Sequence, residues 1–299
     1  MTAQKLFNAL FNAGVFIMVA TLVASLGMGF TVTQVVSPLR RVGVVAVAVV
    51  INALLVPAVA WGIAELFPLS SEHVVGIVLC CIASAGPAGL KGAQLAKRAD
   101  MALAVSLVIL LMLVNLVTAP LWADAVVTGA SISPGTIIKD LLLLVLIPLV
   151  LGLFCRARYA EHAPAWKAGL EKISNIALYF AIALGLAINW SVFVDLLGSW
   201  TIVASVVMVV VFCALGFLIG VRDAPTRLAG SMVTGMRFQP LGFVIIATQL
   251  HNQSAYLAPA LLFALVDTIV VFVIGAEVGR AVSKRAVSGS AHGGKVAAS

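Results

Sequence analysis

The sequence is short of charge. Asp, Glu, Lys and Arg make up 10% of its 299 residues, and 63% are hydrophobic; soluble domains run at about 25% charged and about 45–50% apolar. A soluble globular fold is excluded. Groups that do covalent chemistry are also scarce. There are 4 cysteines, Cys80, Cys81, Cys155 and Cys213, with no CxxC or other metal-ligand spacing. All lie in or beside apolar runs, where a thiol serves as a small hydrophobe. His73, His162, His251 and His292 fall in loops, at span ends or in the tail, which leaves no imidazole mid-span for a proton relay. No nucleophile–base pair or phosphate loop is present. An enzyme reading therefore has little support, and no cofactor or metal is implied. The net charge of +7 does not point to nucleic acid, because most Lys and Arg lie in short loops between apolar segments.

Long apolar runs are abundant. A bilayer-spanning helix needs about 20 such residues. Nine segments qualify, at roughly 7–30, 42–66, 73–97, 101–121, 136–155, 171–190, 200–220, 226–250 and 256–279. The first is too long for a signal peptide's apolar region and has no small-residue cleavage site after it, so it reads as a retained span. The expected fold is an all-α polytopic membrane protein, one transmembrane domain over residues 1–279. Residues 280–299 (RAVSKRAVSGSAHGGKVAAS) are basic and rich in Ser, Gly and Ala, and are expected to form a disordered tail.

Arg40, Arg41, Lys97, Arg98, Arg156, Arg158, Lys167, Lys172, Arg222, Arg227, Arg280, Lys284, Arg285 and Lys295 fall on one side of this topology, and Lys5 and Lys139 on the other. The positive-inside rule then places the C-terminus in the cytoplasm and the N-terminus outside. Compact loops and the lack of a eukaryotic targeting signal suggest a bacterial inner membrane. Trp61, Trp122, Trp190 and Trp200 lie near the predicted outer ends, as an interfacial aromatic belt would.

Two of the 18 cations remain, Lys91 and Arg237, and both fall inside apolar segments. Lys91 lies in Ser84-Ala85-Gly86-Pro87-Ala88-Gly89-Leu90-Lys91-Gly92, and Arg237 in Gly235-Met236-Arg237-Phe238-Gln239-Pro240. A charge near the bilayer centre costs roughly 2.5–3.5 kcal/mol on insertion scales and marks a functional candidate. Gly86, Pro87, Gly89, Gly235 and Pro240 predict helix breaks, since proline removes a donor and blocks the preceding turn. Pro57, Pro148 and Pro259 read as ordinary kinks. The third and eighth spans run in opposite directions, so the first four and last four form two inverted units around an odd fifth. Broken helices in corresponding places of two inverted units point to a secondary transporter's binding site.

Several segments, in order, resemble the bile acid:sodium symporter family. Leu26-Gly27-Met28-Gly29-Phe30-Thr31-Val32-Thr33 is similar to its GMGL-type segment. Ile51-Asn52-Ala53-Leu54-Leu55-Val56-Pro57 resembles its Gln-x-x-x-x-Pro helix, with Asn52 at the Gln position. Leu95-Ala96-Lys97 followed by Asp100-Met101-Ala102-Leu103-Ala104-Val105-Ser106 resembles its Leu-Ala-Lys-Gly-Asp stretch with one extra residue, and Gly235-Met236 stands where the family has Gly-Met-Gln-Asn. The resemblance implies a moving core of helices at about 42–121 and 200–279, and a panel at about 7–30 and 136–190, with the substrate between them. It also implies where sodium ligands would fall. The Ser-Asn pair after the first break corresponds to Gly89 and Leu90, with Lys91 next. The acidic ligand corresponds to Val233, and the Gln-Asn pair to Arg237 and Phe238. The run Leu107–Val114, where hydroxyls would lie, is wholly apolar. Sodium binding is therefore doubtful.

Helix breaks free carbonyls that need partners in a membrane, and Lys and Arg bring donors only. Lys91 and Arg237 are therefore expected to replace the lost sodium ions as tethered cations. The bland readings are that Lys91 snorkels to the interface and Arg237 only satisfies carbonyls. Asp267 (Phe263-Ala264-Leu265-Val266-Asp267-Thr268) is the lone carboxylate near a helix centre. It is expected to pair with one of the two cations, or to carry a proton and couple transport to a proton gradient. Asn52, Asn115, Thr234 and Gln239 are candidate lining groups. For Asn52 and Asn115 an interhelical hydrogen bond is the alternative.

The function that follows is alternating-access transport of an organic anion, a carboxylate, without sodium. The partners are that small anion and the lipid bilayer. Two alternatives remain. A sodium-coupled organic anion symporter would use unrecognised ligands, and a non-transporting receptor or regulatory subunit would have its ion sites locked.

Overall fold

The computed structural model describes residues 3–127, 133–188, 190–196, 198–220, 223–250 and 253–296. Arg222 and His251, read above as loop residues, lie outside these, as do residues 297–299 of the expected tail. The described chain is all helical. Helix α1 is Ala3–Gly29, and α2 is Val32–Val36, opened by a capping box in which Thr31 and Gln34 bond each other's backbone. Then come α3 (Val42–Val50), α4 (Val56–Leu66), α5 (Ser71–Ile82), α6 (Gly89–Leu95), α7 (Met101–Val126), α8 (Pro134–Leu141), α9 (Ile147–Arg158), α10 (Ala163–Ile188) and α11 (Trp190–Leu196). The series ends with α12 (Trp200–Gly216), α13 (Ala224–Gly235), α14 (Gln239–Gln249) and α15 (Ser254–Val296). Helix α15 continues into the segment expected as a tail, and α10 begins ahead of its expected boundary.

Among the described residues, seven helices are long and apolar enough to cross a membrane. The segments expected at 73–97 and 226–250 are the interrupted pairs α5–α6 and α13–α14, neither half of which spans by itself. Helices α1, α9 and α10 pack side by side, and α15 lies against α5, α6 and α12.

Two of the long helices carry a wide turn just before a proline. Ile51–Leu55 joins α3 to α4, and Leu142–Leu146 joins α8 to α9. In the first, the N–H of Val56 reaches Ile51 O, five residues back. Pro57 comes next and has no N–H to offer, so the carbonyls of Asn52 and Ala53 lose their helical donor. Neighbouring spans supply replacements: Ser84 Oγ donates to Asn52 O at 3.0 Å, and Trp122 Nε1 donates to Ala53 O at 2.8 Å. Trp122 thus satisfies a proline-freed carbonyl in addition to lying near a helix end.

At one end of the molecule Arg41 donates to Asp100 Oδ2 (3.0 Å) and Thr226 Oγ1 (3.4 Å), tying together the starts of α3, α7 and α13. Asp223 caps α13, accepting from the backbone N–H of Thr226 at 3.1 Å and from its hydroxyl. The Thr226 hydroxyl holds the Asp223 carboxyl below its usual range. A cavity opens here beside Val44, Val47, Leu218 and Ile219.

Candidate functional site

The two interrupted pairs break where they meet. Helix α5 stops at Ile82 and α6 starts at Gly89; α13 stops at Gly235 and α14 starts at Gln239. The N–H of Gly86 donates to Met236 O at 2.9 Å, and the N–H of Phe238 donates to Ala83 O at 3.0 Å. These two bonds satisfy backbone groups that the breaks expose, as a low-dielectric interior requires. Gly86 is needed for the approach, since a Cβ there would stand 2.5 Å from Arg237 O. Pro240 occupies the first turn of α14, where its missing N–H does no harm. Asn115 on α7 completes the junction. Its Oδ1 accepts the N–H of Ser84 and its Nδ2 donates to Ser84 O, both at 3.0 Å.

Arg237 lies at this junction with no solvent-exposed surface, the largest of the fully buried side chains. Its guanidinium is surrounded by oxygens. Nε and Nη2 donate to Cys81 O, at 2.9 and 2.6 Å. Nη1 donates to Asn52 Oδ1 at 3.0 Å and to Thr234 O at 3.5 Å. The Phe212 ring covers it, with its centroid 5.8 Å from Cζ, within the range of a cation–π contact. Asn52 is held in turn: its Nδ2 donates to Ala48 O and Thr234 Oγ1, each at 3.0 Å. The Asn52 oxygen is thereby oriented toward Arg237.

Asp267 on α15 is also fully buried. One oxygen, Oδ2, accepts the backbone N–H of Arg237 at 3.1 Å and the side-chain amide of Gln239. The expected ion pair takes a different form: Asp267 bonds the main chain of Arg237, while the guanidinium turns to Cys81, Asn52 and Thr234. Its fork is occupied by Asn52 Oδ1 and by carbonyls at the ends of α5 and α13, with no direct carboxylate contact.

Lys91 stands apart from this cluster. Its side chain is exposed on α6 and does not join the cluster. Gly89, Gly92 and Ala93 are buried and take the inner face of α6. A Cβ on Gly89 would stand 2.9 Å from Met232 O, and one on Gly92 would stand 3.0 Å from Val271 Cγ1. Lys91 falls on the opposite face. The structure thus brings Asn52, Thr234, Arg237, Gln239 and Asp267 together, sets Asn115 of α7 against Ser84 in the adjoining break, and leaves Lys91 exposed on α6. Sequence reasoning missed Cys81 O, Ser84 and Phe212. A carbonyl has no sequence signal, and Phe212 sits within an unbroken apolar run.

A sequence model described as the sodium bile acid symporter family matches residues 16–219. The chain belongs to that family. No curated protein matches it individually. The sodium bile acid symporter family comprises membrane transporters and not enzymes, and membership together with the apolar helices makes this an integral membrane protein with a small-molecule substrate. The matched region holds Asn52, Cys81, Ser84, Asn115 and Phe212. Thr234, Arg237, Gln239 and Asp267 lie beyond it, on the segments that supply the charges.

Proposed function

We propose that this protein is a secondary transporter that moves an organic anion, a carboxylate, by alternating access without sodium. Arg237 takes the place of a bound cation at the helix crossing. The observation that carries this reading is the shell of oxygens around the guanidinium: Cys81 O, Asn52 Oδ1 and Thr234 O converge on one buried positive charge. A mobile cation at such a crossing would be held by oxygens of this kind. Here the charge is covalently attached and cannot leave.

In this reading the chain crosses the membrane nine times as two inverted units, with its N-terminus outside a bacterial inner membrane. Helices α1, α8, α9 and α10 form the panel, the remaining long and interrupted helices form the core, and the anion binds between the two. Lys91, exposed on α6, is left out of the tethered-cation role.

The test is uptake of labelled glycocholate, pyruvate and pantothenate into proteoliposomes, with and without a sodium gradient. Uptake of one of these acids that is indifferent to sodium, and that is lost in folded Arg237→Gln protein, is the expected result. Sodium-stimulated uptake, or uptake unaffected by Arg237→Gln, would overturn the assignment.

A further inference from the structure

The carboxyl group of Asp267 is only half satisfied. Oδ2 accepts two hydrogen bonds, while Oδ1 is buried with no hydrogen-bond partner among the described residues. Buried polar atoms nearly always have partners, and an exception calls for a reason. The nearest source of compensation, the Arg237 guanidinium, gives four of its five N–H groups to Cys81, Asn52 and Thr234. The other titratable groups facing Asp267 are the thiols of Cys80 and Cys81 on α5 and of Cys213 on α12. None is a cation. Among the described residues, α6, α10, α11 and α14 place no charged side chain against it.

We propose that Asp267 is a proton-binding site, with the proton held on Oδ1, and that this proton is the coupling ion of the transport proposed above. The inference rests on that reading of the site. In the protonated form the carboxyl is neutral, and Oδ2 keeps both of its hydrogen bonds. In the ionised form Arg237 balances the charge within the same buried cluster, without contacting the carboxylate through its side chain. Both forms are therefore accessible, as a coupling group requires.

Charge accounting gives the direction of coupling. With Asp267 ionised, Arg237 and Asp267 together carry no net charge. Binding a proton leaves one net positive charge at the crossing, which favours the approach of an anion. By linkage, a bound anion favours the proton to the same degree. One proton and one monocarboxylate then move together, and the cycle transfers no net charge.

Two measurements test this. The first is infrared difference spectroscopy of the full chain in lipid nanodiscs, titrated over pH. A protonated-carboxyl band that fades as pH rises and is missing in Asp267→Asn is expected. No such band would overturn the proposal. Gln239→Leu, which removes a donor that favours the ionised form, should move the titration to higher pH; an unmoved titration would also overturn it. This variant keeps the test decisive should Asp267→Asn fail to fold.

The second is proteoliposome uptake of glycocholate, pyruvate and pantothenate with the outside acid or at equal pH on both sides. Acid outside should raise uptake of the accepted acid at least tenfold in the wild type and less than twofold in Asp267→Asn. Equal stimulation in both proteins would sink the coupling. Should the wild type move none of the three acids, the anion reading fails and the coupling built on it fails too, while the infrared band still decides whether Asp267 binds a proton.

Discussion

The side-chain amide of Asn115 brackets the backbone of Ser84, accepting its N–H and donating to its C=O, both at 3.0 Å. One side chain on an intact span thus satisfies both main-chain polar groups of a residue inside the break between α5 and α6. Asn115→Leu leaves that N–H and C=O buried and unpartnered, and a stranded group of this kind costs about 1–3 kcal/mol. The expected outcome is a lower thermal midpoint in lipid nanodiscs, with Asn115→Gln recovering little because its longer arm misplaces both atoms. A midpoint unchanged in Asn115→Leu would remove the amide from the junction.

Arg237 and Asp267 should be strongly non-additive. Arg237→Met strips the donors from Cys81 O, Asn52 Oδ1 and Thr234 O and leaves the Asp267 carboxyl without a compensating charge, and each buried group left unpartnered costs about 1–3 kcal/mol. Adding Asp267→Asn removes the stranded charge, so the double variant should be more stable than Arg237→Met alone. Thermal unfolding of the four proteins of the cycle measures the coupling. Lys91→Ala, on the exposed face of α6, should stay within about 0.5 kcal/mol of wild type.

Trp122 and Pro57 form a second cycle. Trp122→Phe keeps the ring but loses the donor to Ala53 O, a loss worth about 0.6–1.7 kcal/mol within a membrane. Pro57→Ala restores a backbone N–H able to serve the carbonyls of this turn. Trp122→Phe should therefore cost less in the Pro57→Ala background than in the wild type. Equal costs in the two backgrounds would show that the indole N–H does not replace the missing amide.

Asp223 makes stability depend on acid. The Thr226 hydroxyl holds its folded-state carboxyl below the ordinary value of 3.8. The sign follows from linkage: the stabilisation is present above the unfolded value and is lost as pH falls through the lower, folded one. The thermal midpoint should fall as pH is taken from about 5 down past 3.8. The acid-dependent part should be smaller in Asp223→Asn and in Thr226→Val. An identical acid profile in all three proteins would contradict this capping contact.

Membrane class, the apolar segments and both breaks were legible because each depends on local chemistry. A run of apolar residues declares a span wherever it lies; Pro87 and Pro240 declare breaks by the N–H they lack, and Gly86 by the side chain it lacks. The burial of Arg237 was legible for a similar reason, since a cation inside an apolar segment needs partners. The fate of Lys91 was not. It carries the same surface signal, but whether a side chain on a short half-helix turns inward depends on which face the neighbouring helices take, and Gly89 and Gly92 give that face to α13 and α15. The partners of Arg237 were equally hidden, because Cys81 O and Thr234 O are main-chain atoms available at every position. By itself the sequence determined that a buried charge sits at a broken helix. Only the tertiary structure decided that Asn52 and two carbonyls hold its side chain while Asp267 holds its backbone, because those contacts join residues as many as 185 positions apart and arise only once the two breaks cross.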